Sequence, residues 1–191
     1  MTTVVVVKKN GQVAIAADTL TKWGSTKESA SYIANHQKIF PIEENYLGFS
    51  GSAQVQQILH NYCQENTKEL DLHSVETIFK SWMPLHQVFK EKYFVNSSSE
   101  HATETTQCYV LIANPYGIFG VDEYRFVEEF TRFYAIGNGR EYALGAIYAT
   151  YNDPEKSAEE IARLAVEAAA EFDDSTGLPI TSFSVQLKGE D

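Results

Sequence analysis

Residues 2–18 read TTVVVVKKNGQVAIAAD, and this stretch decides the fold. β-branched residues fill its first part, Asn10-Gly11 is a strong signal for a two-residue hairpin turn, and a second apolar run covers residues 13–17. Neither run has a polar face, which is typical of strands that are covered on both sides. The chain is therefore predicted to open with a buried β-hairpin whose second strand ends at Asp18.

Beyond the hairpin, groups of strands alternate with pairs of helices. A mixed segment leads to two further strands, and two helices follow, of which the second carries Pro84 and is expected to kink or split there. A polar loop over residues 96–106 precedes strands predicted at 108–113, 118–121 and 133–136. Two more helices come next, the later one with a capping box from Ser157, and a final strand alternates at Phe183, Val185 and Leu187.

The pairing of the helices predicts the architecture. Helices that follow one another in pairs do not fit a simple β-α-β winding, whereas they fit two packed sheets with a helical layer on each outer face. We therefore expect an α+β fold, a four-layer α-β-β-α sandwich, formed by one domain over residues 1–191.

Composition excludes several classes of function. The net charge of −11 argues against a protein that binds nucleic acid through its phosphates. The first apolar run is too short for a secretory signal and its lysines follow it, and no stretch has the roughly 20 apolar residues of a membrane span. A soluble, cytoplasmic protein is expected. Cys63 and Cys108 should be buried, and neither they nor the histidines have metal-ligand spacing, so no metal or cofactor is predicted.

Thr2 is the candidate nucleophile. A threonine hydroxyl reacts poorly at neutral pH unless a base accepts its proton. A small residue in second position generally permits removal of Met1, and Thr2 would then carry an α-amino group with a pKa of about 8 that can act as this base. A threonine at position 2 is common, however, so the argument depends on the rest of the chain.

Several short motifs occur together with this threonine. They are Met1-Thr2-Thr3, GQVAIAAD at residues 11–18, Gln37-Lys38-Ile39, GFSG at 48–51, and AIGNG at 135–139 ahead of a helix. In this order and at these spacings they resemble the proteasome β-type family and its bacterial relative HslV, which are N-terminal-nucleophile (Ntn) hydrolases. The resemblance spans most of the chain and implies a threonine-type endopeptidase.

The resemblance also implies how the subunit works in an assembly. Its relatives form closed homo-oligomeric ring stacks with the sites inside, and an ATPase unfoldase feeds protein substrates to them. The absence of a propeptide and the short C-terminus favour an HslV-like or small bacterial proteasome homologue.

Carried over to this sequence, the family assigns Thr2 as nucleophile, Asp18 and Lys38 as its polar support, and the backbone N–H of Gly51 as the oxyanion donor. Three further residues are assigned to hold the Thr2 amine in position, namely Asn138, Asp173 and Thr176. Asn138 stands where most relatives carry a serine. The pocket for the residue before the cleaved bond is assigned to Thr21, His36, Phe49 and Ala53.

Other interpretations fit less well. Ser50 within GFSGS superficially suggests a serine-hydrolase elbow, but the second glycine of GxSxG and a late histidine are both missing. Gly137-Asn138-Gly139 resembles a dinucleotide loop, yet Tyr142 stands where the third glycine belongs. Two alternatives stay open: an Ntn amidase that acts on a small molecule, and a structural ring subunit that kept the fold and lost activity.

Overall fold

The computed structural model describes residues 2–95 and 103–189, and it opens with the predicted hairpin. Strand β1 (Thr3–Lys9) pairs antiparallel with β2 (Gln12–Asp18). Asn10 and Gly11 connect them with φ of 51° and 72°. Two successive left-handed residues match the twist of the flanking strands, which is why this dipeptide forms tight hairpins.

The remaining elements follow in the predicted grouping. Besides a short 3₁₀ helix at Thr67–Glu69, the strands and helices that come before residue 96 are β3 (Thr21–Trp23), β4 (Thr26–Glu28), β5 (Ile39–Ile42), β6 (Asn45–Gly51), α1 (Ala53–Glu65) and α2 (Val75–Glu91). Those that come after residue 102 are β7 (Cys108–Asn114), β8 (Gly117–Val121), β9 (Val127–Phe130), β10 (Phe133–Gly137), α3 (Arg140–Thr150), α4 (Ala158–Phe172) and β11 (Ile180–Gln186).

Two antiparallel sheets form the centre of the fold. One has the strand order β10-β1-β2-β11, and the other has the order β5-β6-β7-β8-β9. Alternate residues of β1 divide between two cores: Val5 and Val7 pack with α3 and α4, whereas Val4 and Val6 pack against the opposite sheet. Helices α1 and α2 cover the outer face of the second sheet. The predicted four-layer α-β-β-α sandwich is confirmed.

Some local predictions were wrong. Helix α2 continues through Pro84, so the expected split there is wrong; Pro84 is exposed and lies outside the buried face of the helix, and the expected kink stays a prediction. Strand β9 was missed because its sequence, VEEF, is half polar, as suits the edge of a sheet. The last strand begins at Ile180, before the alternation becomes visible. Most of the predicted loop at 96–106 lies outside the described residues.

The two cysteines are core residues, as predicted. Cys63 and Cys108 are each 1% exposed within the core beneath α1 and α2. Burial raises the pKa of Cys63 to about 12 and that of Cys108 to about 11. Because the thiolate is the reactive form, both side chains serve as small apolar groups at neutral pH.

Candidate active site

A buried ion pair lies at the end of the opening hairpin. Lys38 Nζ donates to Asp18 Oδ1 at 2.8 Å, and the two side chains are 6% and 0% exposed. The same ammonium donates to the carbonyl of Leu20 at 2.7 Å. Burial lowers the pKa of Lys38, and the carboxylate of Asp18 opposes that shift. The structure thus joins two residues that are 20 positions apart in the sequence.

The carboxylate of Asp18 also collects backbone donors from three segments. Its Oδ1 accepts the N–H of Thr3 at 2.9 Å, and its Oδ2 accepts the N–H groups of Leu20 and Gly177, each at 3.1 Å. A carboxylate with this many donors is held in one orientation, because each charge-assisted bond fixes it further. Asp18 therefore ties the start of β1 to the loop between α4 and β11.

A second polar network lies on the other face of β1. Thr3 Oγ1 accepts the N–H of Gly139 at 3.1 Å and lies 2.6 Å from Thr176 Oγ1. The Thr176 hydroxyl donates to Asp173 Oδ2 at 2.5 Å. Thr3 lies on the same face of β1 as Val5 and Val7. A polar residue on an otherwise apolar, buried face needs a hydrogen-bond partner, and this signal in the sequence could have identified Thr3 as part of the site.

A cleft opens at the N-terminal end of β1. It has a volume of about 290 Å³. Its walls are formed by Thr2, Thr21, Lys22, Trp23, Lys38, Gly51, Ser52, Ala53, Gln54 and Gln56. Gly51 ends β6 and Ser52 caps α1, so the backbone turns from strand to helix at the cleft. A Cβ at Gly51 would approach the carbonyl of Gln107 to 2.8 Å, so this turn requires glycine.

Comparison with known proteins assigns this chain to a family. The sequence profile described as "Proteasome subunit" matches residues 1–183. The chain belongs to the proteasome subunit family. Together with the structural likenesses below, this match makes it a proteasome β-type Ntn hydrolase in fold.

Relatives of this proteasome-family chain cover nearly its whole length. The BPH protein of Thiobacillus denitrificans is 50% identical, with 98% of this chain and 99% of that chain covered and a TM-score of 0.93. The same protein in complex with epoxomicin gives a TM-score of 0.91 over 97% of this chain and 98% of that one. "Proteasome subunit beta" of Nanoarchaeum equitans is 26% identical, over 99% of this chain and 95% of its own length.

A more distant structure shares the fold alone. Eukaryotic HslV from Trypanosoma brucei is 18% identical, with 96% of this chain and 99% of that chain covered and a TM-score of 0.68.

The residues assigned to hold the Thr2 amine make other contacts in this proteasome-family chain. The backbone N–H of Asn138 donates to the Thr2 carbonyl at 2.8 Å, while the Asn138 residue is exposed. Thr176 and Asp173 reach Thr3 through the hydroxyl chain described above. These contacts position the backbone of β1, and the assigned role toward the amine stays a prediction.

Two of the four predicted pocket residues lie away from the wall of the cleft. Thr21 and Ala53 line it, whereas Phe49 is 0% exposed and belongs to the core under α1 and α2. Alternation along β6 explains this, because the strand turns Gly48 toward the facing sheet and Phe49 toward the helices. His36 does not line the cleft either, and its Nδ1 lies 2.7 Å from the carbonyl of Ile33.

Gly139 is expected to tolerate no side chain. A Cβ there would lie 2.6 Å from Thr3 Oγ1 and 2.9 Å from Thr176 Oγ1, so Gly139→Ala should displace the network and lower the free energy of unfolding by about 2 kcal/mol. Gly145 serves as the control, because it lies inside α3, the helix that Gly139 precedes as N-cap, and nothing lies within 4 Å of its Cβ position. Gly145→Ala should stabilise by about 0.5–1 kcal/mol. Urea denaturation of both variants measures the difference, and equal midpoints would contradict the packing.

The described residues of this proteasome-family chain contain no helix that is long and apolar enough to cross a membrane. Within the same residues, no group of three or more histidine, cysteine, aspartate or glutamate side chains is arranged to hold a metal ion.

Proposed function

We propose that this chain is a threonine-type endopeptidase subunit whose nucleophile is Thr2 after removal of Met1. One observation carries the proposal: the buried Asp18–Lys38 pair bonds the backbone directly after Thr2, at a cleft that Thr2 and Gly51 both line. A buried ion pair stabilises a fold weakly, so its placement beside a candidate nucleophile favours a role in chemistry.

The reaction proceeds through an acyl-enzyme. Thr2 Oγ attacks the scissile carbonyl carbon while the Thr2 amine accepts the hydroxyl proton. The N–H of Gly51 stabilises the negative charge that develops on the carbonyl oxygen. The C–N bond then breaks and the Thr2 amine passes its proton to the leaving amine. Water hydrolyses the resulting ester by the same base and restores the Thr2 hydroxyl.

Lys38 sets the protonation of the Thr2 amine. A positive charge near an amine disfavours the ammonium form and so lowers its pKa. A larger share of the Thr2 amine is then neutral near pH 7 and able to accept a proton. Burial lowers the pKa of Lys38, and the carboxylate of Asp18 opposes this shift and so favours the charged form.

The assembly and its partners belong to the same proposal. By likeness to the family, the subunit forms a homo-oligomeric ring stack in the cytoplasm, encloses the cleft, hydrolyses protein or peptide substrates and receives them from an ATPase unfoldase. The complex of the 50% identical BPH protein with epoxomicin supports the choice of that compound as a probe.

The test combines intact mass with this probe. The native protein, expressed without an N-terminal tag, is weighed by mass spectrometry before and after incubation with epoxomicin. We expect the mass of a chain without Met1, one adduct per subunit, and an adduct-bearing peptide that begins at Thr2. A retained Met1 without any adduct would overturn the proposal and favour a structural ring subunit.

A further inference from the structure

A second cavity lies between the two sheets, apart from the cleft. Its volume is about 140 Å³. Its walls come from β7, β8, the β8–β9 turn, β9, β10 and the first residue of α3. None of the residues assigned above to catalysis or to the cleft lines it.

On each sheet, one residue that lines this cavity pairs across strands with the sequence neighbour of a residue proposed to take part in catalysis. In the second sheet Tyr109 pairs with Ser50, the neighbour of Gly51. In the first sheet Gly137 pairs with Thr3, the neighbour of Thr2. The cavity therefore adjoins the proposed nucleophile and the oxyanion donor at the same time.

The cleft and the cavity lie on opposite sides of these two groups. Strand β1 has β2 on one side and β10 on the other, and β6 has β5 on one side and β7 on the other. The cleft uses Thr21, which follows β2, and Lys38, which precedes β5. The cavity uses β10 and β7. A peptide that runs from the cleft across Thr2, away from β2 and β5, therefore extends toward the cavity.

The lining of the cavity suits a bulky apolar side chain. Aromatic rings from both sheets form its walls: Tyr134 of the first sheet stacks on Phe130 of the second at 4.3 Å between centroids, and Tyr109 also belongs to the second sheet. The ring of Phe130 packs on Gly120, where a Cβ would lie 2.8 Å from it, so this glycine lets the ring lie flat against β8 as a wall of the cavity. A cavity of comparable size, about 150 Å³, accommodates benzene in another protein.

Charged side chains at the cavity also disfavour one class of substrate side chain. Asp122 and Glu128 contribute carboxylates, and the single cation of the lining, Arg140, has its Nε 3.1 Å from Glu141 Oε1. An acidic side chain would meet like charge here, and such a contact opposes binding.

We propose that this cavity binds the side chain of the residue that follows the scissile bond and selects an aromatic or large aliphatic residue there. The inference rests on the proposed function, because it takes Thr2 as the point of cleavage. It assigns the cleft to the acyl side of the substrate, the residues before the scissile bond, and the cavity to the leaving side, the residues after that bond.

Hydrolysis of matched peptides tests the assignment. The peptides share one acyl half and carry phenylalanine, glycine or aspartate directly after the scissile bond, and mass spectrometry confirms the position of cleavage. We expect kcat/KM to be about 10-fold higher for phenylalanine than for glycine, and lowest for aspartate. Tyr134→Ala removes one wall and should reduce the phenylalanine-to-glycine ratio to below about threefold. Tyr148→Ala, an exposed tyrosine on α3, should leave the ratio unchanged.

A binding experiment separates failure of the cavity from failure of the proposed function. Calorimetry measures the affinity of the intact protein and of Tyr134→Ala for the leaving product, a short peptide with N-terminal phenylalanine. Binding that Tyr134→Ala weakens supports the cavity even if no peptide is cleaved, an outcome that overturns the proposed function alone. Hydrolysis without a leaving-side preference overturns the cavity alone. If binding and preference are both absent, the inference is wrong.

Discussion

Replacing Thr2 with alanine is expected to lower the rate of peptide hydrolysis by about 10⁴-fold or more, because removal of an enzyme's only nucleophile has effects of this size. The substitution deletes the attacking hydroxyl and leaves the backbone amine, the Asp18–Lys38 pair and Gly51 in place. Hydrolysis of an internally quenched peptide measures the loss, and thermal unfolding of the same sample shows whether the fold is kept.

A serine at the same position provides the matched control. Thr2→Ser keeps both the hydroxyl and the amine, so it should retain a substantial part of the activity and still form one epoxomicin adduct. If Thr2→Ala hydrolyses the peptide as fast as the unmodified protein, Thr2 is not the nucleophile and the proposed mechanism fails.

Replacing Lys38 with methionine is expected to lower the free energy of unfolding by about 3 kcal/mol, since it leaves the carboxylate of Asp18 buried without its cation. The three backbone N–H donors of Asp18 limit the loss to the lower end of the range for such pairs. Peptide hydrolysis should fall as well, because the Thr2 amine loses the charge that lowers its pKa. Urea denaturation and the peptide assay measure the two effects.

An exposed ion pair serves as the control for this substitution. On α2, Lys80 Nζ lies 2.6 Å from Glu76 Oε1, and the side chains of Lys80 and Glu76 are 69% and 76% exposed. Lys80→Met should change the free energy of unfolding by less than about 0.5 kcal/mol and leave hydrolysis unaltered, because water screens the pair. Equal effects of the two lysine substitutions would show that the buried pair has no special role.

The part of the fold that the sequence predicted is local. Asn10-Gly11 determines its own turn through two left-handed residues, and the β-branched apolar runs beside it favour strands covered on both faces. Helices were visible through their period, and Ser157 marked where α4 begins. The sequence did not predict the edge strand β9 or the continuation of α2 past Pro84. Both depend on which residues are exposed, and exposure is decided by neighbours that are distant in sequence.

The candidate site divides in the same way. The sequence by itself determined the threonine at position 2, the acid at the end of β2, the glycine at the strand-to-helix turn, and the family to which these motifs belong. The tertiary structure alone joined Thr3 to Thr176, 173 residues apart, and Asp18 to Gly177, 159 residues apart. It also turned Phe49 into the core and placed a second cavity beside Thr2. Residue spacing fixes which side chains share a face, but only the packing of one sheet on the other decides what lies opposite that face.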